Sequence, residues 1–272
     1  MISVIVPALN EEESIGNCLC SLQEQDIDRD SYEIIIVDGG SDDRTREIAR
    51  QYADRVVSQK RSGIGGARRD GAEASRGDIL VFTDADTLHR RDWLERIREN
   101  LTTRGYDVST GPVHFYDRTC RSDLIRLWRK QYAFFHLFGF YWLIGSNVAV
   151  KREAYDRTGG HRDISILEDY DLSVRMFKAG DIACCYDPRQ TVYTSARRLS
   201  KLFAYITTYM YGHYHYHITK DPARLLLYPR FDARDPRLMS DSIGMRQVNA
   251  KINSTYAKFI STIEQLETRL EH

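Results

Sequence analysis

Short β-branched runs and amphipathic segments take turns along the first half of the chain. Ile2 to Val6 is followed by Ile15, Cys18, Leu19 and Leu22 at helical spacing, and then by the apolar run Ile34 to Val37. That is the pattern of a βαβ unit. The alternation continues with Ile48, Ala49 and Tyr52 on one helical face, a short strand near Val56 and Val57, a helix after Gly66, and the run Ile79 to Thr83. An α/β fold with about four parallel strands is therefore expected. Ligands of such sheets sit beyond the carboxyl ends of the strands, so the segments after Val6, Val37 and Thr83 should line one crevice.

All three segments are rich in carboxylates: Pro7-Ala8-Leu9-Asn10-Glu11-Glu12-Glu13, Asp38-Gly39-Gly40-Ser41-Asp42-Asp43 and Asp84-Ala85-Asp86. Helix capping and the helix dipole account for much of the first two clusters. They do not account for Asp38, which precedes any helix and sits beside Gly39 and Gly40, where a backbone can approach a flat ligand closely. Asp84-Ala85-Asp86 puts two carboxylates at a sheet edge, and Mg2+ or Mn2+ commonly bridges one or two such carboxylates to substrate phosphates.

Composition narrows the partners. Lysine plus arginine and aspartate plus glutamate number 39 each in 272 residues, so no overall field draws the chain to nucleic acid, and none is expected as a partner. The five cysteines, Cys18, Cys20, Cys120, Cys184 and Cys185, lack C-x-x-C or finger spacing and read as reduced thiols. Met1 to Pro7 reads as a first strand, without the basic start of a signal peptide. A cytoplasmic location is expected, and Asn253-Ser254-Thr255 then carries no weight as a glycosylation site.

With these clusters in order, the sequence resembles the family-2 glycosyltransferases of the GT-A fold. Further matches are Gly66-Ala67-Arg68-Arg69-Asp70-Gly71, Gly145-Ser146-Asn147-Val148-Ala149-Val150-Lys151-Arg152 and Leu167-Glu168-Asp169-Tyr170-Asp171-Leu172, covering residues 1 to about 200. The resemblance implies a Rossmann-like, mainly parallel mixed sheet flanked by helices, and a metal-dependent, inverting transfer from a nucleoside-diphosphate sugar, most simply UDP-linked. It sets Pro7, Ala8, Glu11, Asp38 and Arg68 around the base and ribose, Asp84 at the ribose and Asp86 on a Mg2+ or Mn2+ ion bridging the diphosphate. It makes Asp169 the base that deprotonates an acceptor hydroxyl, and Arg197, with Arg198, part of a basic segment closing over the diphosphate. Asp70 stands where the family more often has asparagine, which leaves a sugar contact from that position unassigned.

The second half is aromatic. Leu124 to Ile144 includes Trp128, Phe134, Phe135, Phe138, Phe140, Tyr141 and Trp142 and follows Arg121; Arg126, Arg129 and Lys130 fall inside it. A second aromatic stretch, Phe203 to Tyr216, follows Arg197, Arg198 and Lys201. The first stretch is too interrupted to span a bilayer, which needs about 20 apolar residues. Basic heads on apolar bodies suit either a peripheral contact with the cytosolic face of a membrane, near a lipid-linked or amphiphilic acceptor, or packing within the chain or across a homodimer. His213 and His217 share a helical face, His215 does not, and a second metal site there is disfavoured. Met245, Val248, Ile252, Tyr256, Phe259, Ile263, Leu266 and Leu270 outline an amphipathic helix. The expected organisation is a GT-A domain over 1–198, with nucleotide-sugar binding in 1–115 and the acceptor side in 116–198, then a C-terminal helical extension over 199–272.

Three rival readings remain. Ile79 to Thr87 also resembles the first motif of haloacid-dehalogenase phosphatases, with Asp84 as nucleophile and Asp86 as acid/base, but that leaves the Pro7 and Asp38 clusters unexplained. A sugar-nucleotide pyrophosphorylase would carry a glycine-rich basic loop where Pro7-Ala8-Leu9-Asn10 stands. A non-catalytic nucleotide-sugar binding protein is compatible with the same fold.

Overall fold

The computed structural model describes residues 1–117, 125, 132–197, 202–220 and 222–226. Arg121, Arg126, Trp128, Arg129, Lys130, Arg198, Lys201 and the expected helix over 245–270 lie outside the described residues.

Four parallel strands open the chain: β1 (Ile2–Ala8), β2 (Tyr32–Asp38), β3 (Arg55–Ser58) and β4 (Ile79–Phe82). They lie side by side in the order β3-β2-β1-β4. Helices α1 (Ile15–Gln23), α2 (Thr45–Tyr52) and α3 (Gly63–Ala74) make the crossovers. The third helix, expected after Gly66, already begins at Gly63, because the glycines of its first turn leave no periodicity to read. After β4 come the short β5 (Thr87–His89), α4 (Trp93–Arg98), β6 (Val108–Thr110), β7 (Val113–Phe115), α5 (Tyr132–His136), β8 (Val148–Lys151) and α6 (Arg152–Arg157). The chain continues through α7 (Glu168–Ala179), β9 (Cys184–Tyr186), β10 (Val192–Thr194) and α8 (Leu202–Tyr214).

The central sheet has seven strands in the order β3-β2-β1-β4-β8-β6-β9, and β8 alone runs against the others. A second sheet, β5-β10-β7, stands beside it. Because strand residues alternate in direction, Val4, Val6, Ile34, Ile36 and Val81 face α1 and α4 with Trp93 and Leu94 on one side. Ile5, Ile35, Val37, Leu80 and Phe82 face α3 and α7 on the other, against Ala67, Ala72, Leu172 and Met176. Gly71 sets the spacing on that side, since a Cβ there would stand 2.3 Å from the Ile5 methyl. Both faces are covered, as a parallel sheet requires, and the order in which strands are added switches from one side of β1 to the other between β3 and β4, so the crevice falls at β1 and β4.

Among the described residues no helix is long and apolar enough to cross a membrane. The aromatic stretch divides: Leu143 is buried, whereas Phe134, Leu137 and Phe138 are exposed around the end of α5.

Candidate active site

A cleft of about 540 Å³ opens at the carboxyl ends of β1, β2 and β4, lined by Pro7, Ala8, Glu11, Arg68, Asp84, Asp86 and Asp169, with Gly39, Gln59, Gly145 and Glu168 beside them. Seven of the nine residues anticipated for the site therefore lie on one surface. Asp38 and Arg197 stand just outside that lining. The Asp38 carboxylate is buried and accepts from the backbone N–H groups of Gly40 (3.1 Å) and Ser41 (3.3 Å), with Arg46 Nε 3.4 Å away. It shapes the turn, and its neighbour Gly39 forms the cleft wall.

Arg68 is the electrostatic centre. Its side chain is 2% exposed, one Nη donates to Asp84 Oδ1 at 2.8 Å, and the other donates to Glu168 Oε1. The guanidinium fork thus joins the turn after β4 to the first residue of α7. Gly145 allows it, because a Cβ there would lie 2.3 Å from Arg68 Nη2. Burial and the neighbouring Asp169 push the Glu168 carboxyl up to about 7, against the pull of Arg68. Burial likewise raises the Asp169 carboxyl above its ordinary value, while Arg68 and the N–H groups of Tyr170 (2.7 Å) and Gly145 (3.4 Å) hold it down. An acidic group with a raised pKa at a cleft wall is poised to take a proton.

Asp86 faces the same cleft from the other side. It accepts from Thr194 Oγ1 at 3.2 Å, and Arg197 Nη2 stands 3.3 Å from Asp86 Oδ2 while also donating to both oxygens of Glu11. A cationic group therefore already rests against Asp86, as a divalent cation would. Among the described residues there is no group of three or more His, Cys, Asp or Glu able to hold a metal. The oxygen donors of Asp86 suit Mg2+ or Mn2+, and with so few protein ligands the remaining positions fall to water and phosphate oxygens. His213 and His217 lie elsewhere, stacked 5.8 Å apart, with Tyr170 packed edge-on against both rings and Trp142 against that of His213.

Three contributors were given no role by the sequence, although Asn147 and Asp70 stand inside its motifs and only His89 lies outside them. Buried His89 bonds Ser21 Oγ (2.9 Å) and Thr83 Oγ1 (2.8 Å), bracing the segment between β4 and Asp84. Asn147 accepts from Trp93 Nε1 (2.9 Å) and donates to Gln190 O (2.7 Å), pinning the start of β8 to the loop before β10. Asp70 accepts from the backbone N–H groups of Lys60 and Arg61 (2.9 Å to Arg61), so it ties down a loop at the cleft edge.

A mixed sheet with one reversed strand, a D-x-D turn at its switch point and an acidic pair opening a helix across the cleft is the arrangement of GT-A glycosyltransferases. Residues 3–159, more than half the chain, match the family model of glycosyl transferase family 2, and the chain belongs to that family. It is 38% identical over 120 residues to the glycosyltransferase AglE of Haloferax volcanii, covering 42% of this chain and 40% of that protein. To AglD of the same organism it is 31% identical over 201 residues, covering 66% of this chain and 31% of that protein. The chain thus aligns with well under half the length of these relatives. Its fold is similar to that of the mannosyltransferase PcManGT from Pyrobaculum calidifontis, solved with GDP-Man and Mn2+ (TM-score 0.61, 24% identity, 80% of this chain and 63% of that one). It is also similar to glucosyl-3-phosphoglycerate synthase from Mycobacterium tuberculosis, solved with Mn2+, UDP and glucosyl-3-phosphoglycerate (TM-score 0.60, 24% identity, 83% of this chain and 80% of that one). Membership in this family, and the engagement of Asp84 by Arg68, leave the phosphatase reading unsupported.

Proposed function

We propose that the chain is an inverting, metal-dependent glycosyltransferase that moves a sugar from a UDP-linked donor to an acceptor hydroxyl. The observation that carries this reading is the meeting in one cleft of the Asp84-Ala85-Asp86 turn, Arg68 and the Asp169 carboxylate. Pro7, Ala8, Glu11 and the turn shaped by Asp38 receive the base and ribose, with Asp84 at the ribose. Asp86 holds Mg2+ or Mn2+, which when bound would neutralise the charge collecting on the departing diphosphate. Arg197, already beside Asp86, adds a guanidinium matched to phosphate.

Asp169 takes the proton of the acceptor hydroxyl as that oxygen forms its bond to the anomeric carbon. The bond from that carbon to the diphosphate breaks on the opposite face, the diphosphate leaves with the electron pair, and the centre inverts. Arg68 holds the base end of α7 against the donor turn through Glu168 and Asp84. Residues 1–198 make up the transferase unit, and the extension over 199–272 contributes Thr208, Tyr209 and Leu226 to the acceptor wall.

Exposed Phe134, Leu137, Phe138, Met210 and Ile218 favour an amphiphilic or lipid-linked acceptor met at the cytosolic face of a membrane. In line with this, the dolichyl-phosphate hexose transferase of Haloferax volcanii is 37% identical over 113 residues. A phosphate acceptor attacks as an anion and needs no base, whereas a hydroxyl acceptor does. The test is transfer of labelled sugar from UDP-glucose with Mn2+ to polyprenyl phosphate or to a lipid-linked saccharide, in wild type and Asp169→Asn. The proposal expects transfer to the saccharide and a loss of ~100-fold or more in Asp169→Asn. Transfer to polyprenyl phosphate that survives the substitution would overturn the role given to Asp169.

A further inference from the structure

Gln59 follows β3 and reaches the same cleft wall as Gly39 and Gly63. Its amide nitrogen donates to two backbone carbonyls of the adjoining loop, Arg61 O at 2.6 Å and Gly63 O at 2.8 Å. Turning the amide over would set its oxygen against both carbonyls, so the orientation is fixed by chemistry. Both N–H groups are therefore engaged, and Oε1 is left pointing back toward Gly39, where a Cβ would stand only 3.0 Å from it. No described residue donates a hydrogen bond to that oxygen. The loop is itself anchored, since Asp70 accepts from the Lys60 and Arg61 N–H groups and pairs with the Arg61 guanidinium at 2.5 Å. The result is a rigid acceptor at a cleft edge whose other surfaces, Pro7, Ala8, Leu9 and Ile64, are apolar or backbone. The Asp38 carboxylate, the other nearby acceptor, is taken up by its own turn.

We infer that Gln59 Oε1 reads the donor's nucleobase by accepting a ring N–H, and so selects bases that carry one on their pairing edge. Uracil offers N3–H and guanine N1–H, whereas cytosine and adenine present a bare acceptor nitrogen at the equivalent position. Against those bases two lone pairs would face each other, and a buried acceptor without a donor is penalised. Asp70 then serves the site indirectly, by fixing the loop from which Gln59 projects. The inference rests on the proposal that this cleft takes a nucleoside-diphosphate donor.

The experiment is calorimetric titration of the full chain in Mn2+ with UDP, CDP, GDP, ADP and 3-methyluridine diphosphate, repeated with Gln59→Met and Gly39→Ala. In wild type, UDP or GDP is expected to bind about tenfold or more tightly than its N–H-lacking counterpart, CDP or ADP, and UDP to lose about as much on N3 methylation. Gln59→Met, of matching length but without an amide oxygen, should bring UDP and CDP to within about threefold of each other. Gly39→Ala leaves the Gln59 side chain in place but crowds Oε1, and should weaken UDP more than CDP. The inference is overturned if wild type binds 3-methyluridine diphosphate as well as UDP, or if Gln59→Met keeps the preference. Binding of nucleoside diphosphates without base preference would reject Gln59 as the reader and leave the transferase proposal standing. Binding of none of them would reject both.

Discussion

At the scale of single residues, the site turns on one guanidinium. Arg68 is enclosed with Glu168, with Asp84 half-buried beside them, and breaking a buried ion pair by removing one partner costs ~3–5 kcal/mol because the other, here Glu168, stays buried without it. Arg68→Met should lower unfolding stability by about that amount in urea titration. Arg68→Lys should recover only part of it, since an ammonium cannot fork to two carboxylates. Gly145→Ala should resemble Arg68→Met, because its Cβ would occupy the space of Nη2. Equal stability for Arg68→Met and wild type would remove the bridge from the account. The sequence made Arg68, Asp84 and Asp169 legible as members of motifs. It could not disclose that Arg68 is held by Glu168, because the two stand 100 positions apart and only the fold brings them together.

Among the elements, β1, α1, β2 and α2 were legible from their apolar runs and periods, and β3, α3 and β4 from their place in the alternation that those open, β3 and β4 having only four residues each. The strands from β5 to β10 have three or four residues apiece, too few to establish alternation, so the reversed β8 and the second sheet left no pattern to read. The acceptor side depends on such weakly marked pieces. Leu167, the residue before α7, has φ +61°, a left-handed conformation that costs a side-chain-bearing residue about 1 kcal/mol and is held here by its surroundings. Gly212 on α8 packs onto that loop, where a Cβ would lie 2.6 Å from Ile166 and 3.2 Å from Leu167. The N–H groups of Ser165 and Ile166 donate to Leu225 O at 2.9 and 3.0 Å, so the segment after α8 closes the other side. Gly212→Val should therefore push α8 away and displace Asp169, lowering kcat by about tenfold or more while the donor's dissociation constant changes by less than about threefold. A loss of donor binding equal to the loss of turnover would show that α8 supports the donor half instead.

For the molecule as a whole, balanced charge leaves the pH response to a few buried groups. His89 and His161 are enclosed in the neutral form; burial lowers His89 to about 3, and burial with nearby Arg68 and Arg175 lowers His161 well below its ordinary 6.5. Between pH 6.5 and 3 the unfolded chain takes up protons that the folded chain refuses. His89 therefore contributes stability that is present above that window and falls by ~1.4 kcal/mol per pH unit within it, and His161 acts in the same direction. Replacing His89 by Asn, which keeps a polar group between Ser21 and Thr83, should remove part of the acid sensitivity, so that between pH 6.5 and 4 the melting temperature of His89→Asn gains on that of wild type as pH falls. The raised carboxyls of Glu168 and Asp169 act in the opposite sense: the folded state's preference for their protonated forms is lost as pH rises, for Glu168 toward about 7. Turnover should nonetheless rise with pH on the acid side, because Asp169 works ionised and its carboxyl is raised above the ordinary carboxylate value. The account stands most directly on the pairing of cation and diphosphate at Asp86, and the measurement for it is calorimetric titration of UDP with and without Mn2+, in wild type and Asp86→Ala. It predicts binding that requires Mn2+ and disappears in the variant; binding indifferent to both Mn2+ and Asp86 would contradict it.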